Sequence, residues 1–60
     1  MDTYWAVISK FWPNGTIDVS VEEREGLCPL ANYHSHTPCD CYEDYFKEEY
    51  SARDFASHIY

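Results

Sequence analysis

The sequence predicts a small α+β domain, in which an antiparallel three-stranded sheet (β-hairpin, long loop, third strand) carries one C-terminal helix. Three observations predict it. Two β-rich stretches flank the turn Trp12-Pro13-Asn14-Gly15, alternation of side-chain character resumes from Cys39 to Phe46, and the chain closes on apolar residues at helical spacing. Residues 1–60 contain no repeat, no low-complexity stretch and no composition shift that would mark a second domain.

The hairpin is the clearest local signal. Pro13 presets φ for the first central turn position, Asn14 tolerates the second, and Gly15 accepts the positive φ of a type I turn closed by a bulge. The strand after the turn, Thr16 to Glu22, alternates: Ile17, Val19 and Val21 on one face, Thr16, Asp18, Ser20 and Glu22 on the other. The strand before it, Tyr4 to Phe11, is apolar on both sides, as expected of a central strand. From Glu23 to Pro38 no period survives Gly26, Pro29, Asn32, Ser35 and Pro38, so this stretch reads as a loop of about 15 residues, a length usually functional or pinned. In the third strand, Cys41 and Tyr45 fall on one side and Asp40, Tyr42, Asp44 and Phe46 on the other, with the buried side left open. Ser51-Ala52-Arg53-Asp54 has the form of a capping box with Asp in place of Glu. Ser51 would then cap a helix striped by Ala52, Phe55, Ala56 and Ile59.

Composition excludes several classes of function. With 11 acidic against 4 basic residues the formal charge is −7, and Lys10, Arg24, Lys47 and Arg53 are scattered singly, so no cationic patch is available to displace counterions from nucleic acid. Hydrophobic residues make up 45% of the chain, too many for a disordered acidic tail. No apolar run approaches the ~20 residues of a membrane span, and Met1-Asp2 does not open a signal peptide. The expectation is a cytoplasmic protein with no membrane partner. A chain this short gains little burial, which disfavours an enzyme with a sequestered pocket and favours help from a metal or from a second copy in a homodimer. Three cysteines cannot all pair within one chain, so reduced thiols are expected.

Cys28, His34, His36, Cys39 and Cys41 fall within 14 residues, and thiolate with imidazole is a zinc ligand set. The pairs are His-x-His and Cys-x-Cys, which on extended backbone point each pair one way without requiring chelation; the plainer reading is a surface loop with cysteines as small core residues. Pro38-Cys39-Asp40-Cys41 is one residue short of the zinc-deaminase motif and lacks its His-x-Glu. Cys28 with His34 or His36 lacks an orienting third group and an oxyanion site, so no catalytic residue is assigned. The acidic residues gather after the second strand (Glu22, Glu23, Glu25) and towards the end (Glu43, Asp44, Glu48, Glu49, Asp54), the latter beside Tyr42, Tyr45, Tyr50 and Tyr60. This is either a solvating face or an electronegative, aromatic-anchored surface for a basic partner, with Glu43, Asp44, Glu48, Glu49, Tyr42 and Tyr45 as contact residues.

Tyr4 to Phe11 (Tyr-Trp-Ala-Val-Ile-Ser-Lys-Phe), Asn14-Gly15, and Asp40 to Phe46 followed by a short helix resemble small phage and prophage proteins of Gram-positive bacteria. The likeness covers both ends of the chain, while the Cys/His-bearing middle departs from the polar linker of that group. It implies an inhibitor of host immunity, of the anti-CRISPR or other anti-defence kind, acting in the host bacterial cytoplasm. It carries over no site residue.

Together these readings lead to an acidic phage-type inhibitor that binds a host defence protein stoichiometrically, needs no cofactor, and covers a basic nucleic-acid-binding groove. The alternative is a zinc-stabilised protein interaction module. A third reading, a sponge for a small signalling molecule held between protomers, is disfavoured for nucleotides by the anionic surface.

Overall fold

Trp12 N–H donates to the Thr16 carbonyl at 2.8 Å and Gly15 N–H to the Trp12 carbonyl at 3.0 Å, closing the turn around Pro13 and Asn14. Gly15 sits at φ +91°, the conformation a bulged type I turn demands, and the Asn14 side chain accepts from Thr16 N–H at 3.0 Å. These contacts belong to a computed structural model that describes residues 2–36 and 39–59. The turn joins β1 (Thr3–Phe11) to β2 (Ile17–Glu25); β3 (Tyr33–Ser35), β4 (Asp40–Phe46) and α1 (Glu49–Ser57) follow.

The sheet has four strands rather than three, in the order β2-β1-β4-β3, with every neighbouring pair antiparallel. The added strand is β3, which pairs with β4 through Tyr33↔Glu43, His34↔Tyr42 and Ser35↔Cys41. Three residues are too few to display a period of two, so the sequence shows only loop there. β2 also runs on past Glu22 to Glu25, where Thr3↔Glu25 is the last pair and Gly26 at φ +121° turns the chain away. Glu, Arg and Glu read as loop residues, yet an edge strand exposed to water accommodates them and is protected by them against edge pairing. β1 is internal, flanked by β2 and β4, as its two apolar sides predict.

Register assigns the two faces. One carries Trp5, Val7, Ser9 and Phe11 of β1, Ile17, Val19 and Val21 of β2, and Tyr42, Asp44 and Phe46 of β4. Helix α1 covers this face: Phe55 meets Phe46 at a ring separation of 5.2 Å, and Ala52 and Val7 are wholly buried. A shortest dimension of 14 Å leaves room for that single helical layer. The opposite face carries Tyr4, Ala6, Ile8 and Lys10 with Glu22, Arg24, Glu43 and Tyr45.

The helix begins earlier than the capping-box pattern predicts. Its N-cap is Glu48, in extended conformation and without a side-chain cap, and Ser51 lies inside the first turn. Ala52 N–H donates to the Glu48 carbonyl at 3.2 Å. Glu49 supplies the negative charge favoured at a helix start and accepts from Arg53 Nε at 2.8 Å, an i,i+4 pair that supports the helix without capping its first N–H groups. Of the expected stripe, Ala52 is buried, Ala56 and Ile59 are half-buried, and Phe55 remains 38% exposed. No helix among the described residues is long and apolar enough to cross a membrane.

Candidate functional site

β4 alternates, and the alternation divides the six expected contact residues. Glu43 and Tyr45 point to the helix-free face. There Glu43 Oε1 accepts from Arg24 Nη1 at 2.9 Å and from the Tyr45 hydroxyl at 3.0 Å, while Tyr45 meets Tyr4 edge-on at 5.6 Å. Arg24 stands opposite Tyr4 and Glu43 opposite Ile8, so the ion pair crosses β1 over Ala6, whose small side chain is wholly buried beneath it. Arg24 also binds Glu22 at 3.0 Å, and Glu22 and then Glu43 raise the guanidinium pKa further above its already high ordinary value. Burial, then the bond to Glu43, pushes the Tyr45 hydroxyl up. This network ties β2 to β4 across the central strand, and its carboxylate is already engaged.

The other four residues fall on the helix side. Tyr42 and Asp44 share that sheet face, and Glu48 and Glu49 are exposed at the start of α1. Asp44 stands opposite the buried Val7, and desolvation raises its carboxyl pKa. Glu23 and Glu25 of β2 and Asp54 of α1 add negative charge to this side, where the helix's one cation, Arg53, is held by Glu49. An open groove here is lined by Phe46, Tyr50, Ser51, Asp54, Phe55 and His58. Tyr50 is 71% exposed, and it flanks Glu49 in sequence and Asp54 across one helical turn. Tyr50 is among the aromatics the sequence places beside the acids; Phe55 is missed as a surface residue because its spacing matches the core stripe. Tyr60 lies outside the described residues.

The Cys/His cluster also divides. His34 pairs with Tyr42, which places His34, the following His36 and Asp40 on the helix-side face, near the turn end of β1. Their donor atoms lie within 4.8 Å of one another. Cys41 pairs with Ser35 and belongs to the opposite face, and Cys39 is buried. Cys28 borders Asp2, Thr3, Gly26, Leu27 and Lys47, at the far end of β1. Thr3 and Ser9, the residues level with these two regions, are about 20 Å apart at ~3.4 Å per residue. All three thiols are free. The expected five-residue ligand set is therefore not brought together; its two histidines are, and a carboxylate joins them in place of sulfur.

The open groove and the exposed His/Asp cluster are suited to binding, and Cys28 is not gathered with His34 or His36 into a nucleophile-base pair. Comparison of the chain with protein-family models, with curated proteins and with solved structures gives no match.

Proposed function

We propose that this protein is an acidic, non-catalytic inhibitor of the phage type, which blocks a basic groove of a host defence protein by one-to-one binding through its helix-bearing side. The observation that supports this reading is the coincidence of exposed aromatics with exposed negative charge. Tyr50 and Phe55 line an open groove with Asp54, beside exposed Glu48, in a chain of net charge −7. Aromatic anchors give such a surface its residence time and carboxylates give it long-range attraction to a basic target. The resemblance of Tyr4 to Phe11 and Asp40 to Phe46 to phage proteins supplies the class of target and the host cytoplasm as the setting. A second copy of the chain is a poorer partner for the open β2 edge, because Asp18, Glu22, Glu23 and Glu25 would meet like charges there.

The test begins with capture of the partner from host lysate and continues with binding kinetics. Tyr50→Ala should speed dissociation and leave the salt response intact. Glu48→Gln with Asp54→Asn should slow association and flatten its dependence on ionic strength. Unchanged kinetics in both variants, with loss of binding in Tyr45→Phe, would move the contact to the helix-free face and overturn the assignment.

A further inference from the structure

We propose that His34, His36 and Asp40 form an open binding site for a divalent transition cation of the zinc class, a site that stands independently of the protein-binding surface. The strand period creates it. Residues two apart on extended backbone share a face, so His34 and His36 project together from the end of β3, and pairing of His34 with Tyr42 brings Asp40, two residues before Tyr42, onto the same side.

The imidazoles are held in a row of rings. Phe11 meets Tyr42 edge-on at 5.7 Å, Tyr42 stacks on His34 at 4.1 Å and 12°, and His34 lies 4.2 Å from His36. His36 Nδ1 in turn lies 3.2 Å from Asp40 Oδ1. The stack fixes the plane of His34 and the backbone of Asp40 is held in β4, while the side chains of His36 and Asp40 are 77% and 53% exposed and have room for small rotations.

Three donors within 4.8 Å are slightly too far apart for immediate chelation. A tetrahedral cation with bonds near 2.1 Å requires donors about 3.4 Å apart, so the widest gap must close by about 1.4 Å, which exposed side chains make by small rotations. Two imidazoles and one carboxylate select borderline cations such as Zn²⁺, Co²⁺ or Ni²⁺, whereas Ca²⁺ and Mg²⁺ prefer all-oxygen sites. Three protein ligands leave at least one coordination position to water. Exposure makes the cation exchangeable, and its binding would fasten the three-residue β3 to the start of β4.

The deciding experiment is calorimetric titration of the full chain with Zn²⁺ under a non-chelating reductant, paired with the absorption spectrum of the Co²⁺ form. One equivalent should bind. His36→Gln and Asp40→Asn, both at exposed positions, should each weaken binding about ten-fold or more, and Cys28→Ser and Cys41→Ser should leave it unchanged. The Co²⁺ spectrum should lack a thiolate-to-metal charge-transfer band. Absence of saturable binding, or loss of binding in the Cys variants but not in His36→Gln, would overturn the proposal. Far-UV circular dichroism shows that each variant is folded before it is scored.

Discussion

Replacing Glu43 by Leu should cost this protein a large share of its stability, because one carboxylate oxygen holds two elements together. Glu43 Oε1 accepts from Arg24 on β2 and from Tyr45 on its own strand, at 2.9 and 3.0 Å, and its side chain is 20% exposed. A hydrogen bond to a charged group contributes about 1.5–3 kcal/mol when shielded. Two such bonds sum to about 3 kcal/mol at the low end of that range, and because Arg24 is 33% exposed and keeps Glu22 as a second partner, screening reduces the loss for Glu43→Leu to about 2 kcal/mol. A domain of this size has about 3–9 kcal/mol to lose, at ~0.05–0.15 kcal/mol per residue. Urea unfolding should therefore show a midpoint lowered by a quarter or more. Specificity is checked by a double-mutant cycle with Arg24→Met, for which the expected coupling is about 1 kcal/mol. Coupling within the ~0.3–0.5 kcal/mol scatter of independent sites would refute the idea that the pair braces β2 to β4 across Ala6.

Three further outcomes are expected. Gly15→Val should destabilise by about 1–2 kcal/mol or more in urea although nothing lies within 4 Å of the added Cβ, because the cost is backbone strain at φ +91°. Ser51→Ala should change stability by less than about 0.5 kcal/mol, since Ser51 is not the N-cap; a loss near 1 kcal/mol would restore the capping box. Asp44→Asn should stabilise at neutral pH. Its carboxyl pKa is raised in the fold, so the native state holds the proton more tightly, and stability falls as pH climbs from the unfolded value near 4 through the raised folded one. The gain from Asn should vanish below about pH 4, and a pH-independent gain measured by thermal melts would assign the effect to packing instead.

The elements with strong local chemistry were legible in the sequence. Pro13, Asn14 and Gly15 each have one good place in a bulged hairpin turn, and the alternation of Ile17, Val19 and Val21 assigns β2's buried face. The split of Cys41 and Tyr45 from Asp40, Tyr42, Asp44 and Phe46 also follows from period two, although which side meets the helix does not. That depends on α1, because a strand bearing Tyr45 on one face and Phe46 on the other offers two plausible cores. β3 leaves no signal in the sequence because three residues are too few to show a period of two, and only the pairing of Tyr33, His34 and Ser35 with β4 defines it. The capping-box pattern places the helix start too late: the helix begins at Glu49 with Glu48 as N-cap, and with Ala52 buried Ser51 lies inside the first turn.

The candidate sites were harder to read, for a reason that lies in the same period of two. Density along a chain measures proximity only where the backbone turns back on itself. Within an extended segment, adjacent residues oppose one another, so Glu43 and Asp44 end on different sides of the sheet despite their shared charge. Cys41 and His34 are similarly separated even though their strands are paired. Conversely, Asp40 joins the histidines through the β3–β4 register, a relation no local motif records, and as a solitary surface acid it carries no signal of ligation. Tyr50 and Asp54 come together by the opposite rule, the four-residue turn of α1, which gathers charge and ring on one exposed flank. A linear cluster of acids and aromatics thus resolves into a structural brace on one face and a set of exposed acids and rings on the other. Substitutions in the brace should lower stability, whereas those at the exposed Glu48, Tyr50 and Asp54 should leave the fold intact.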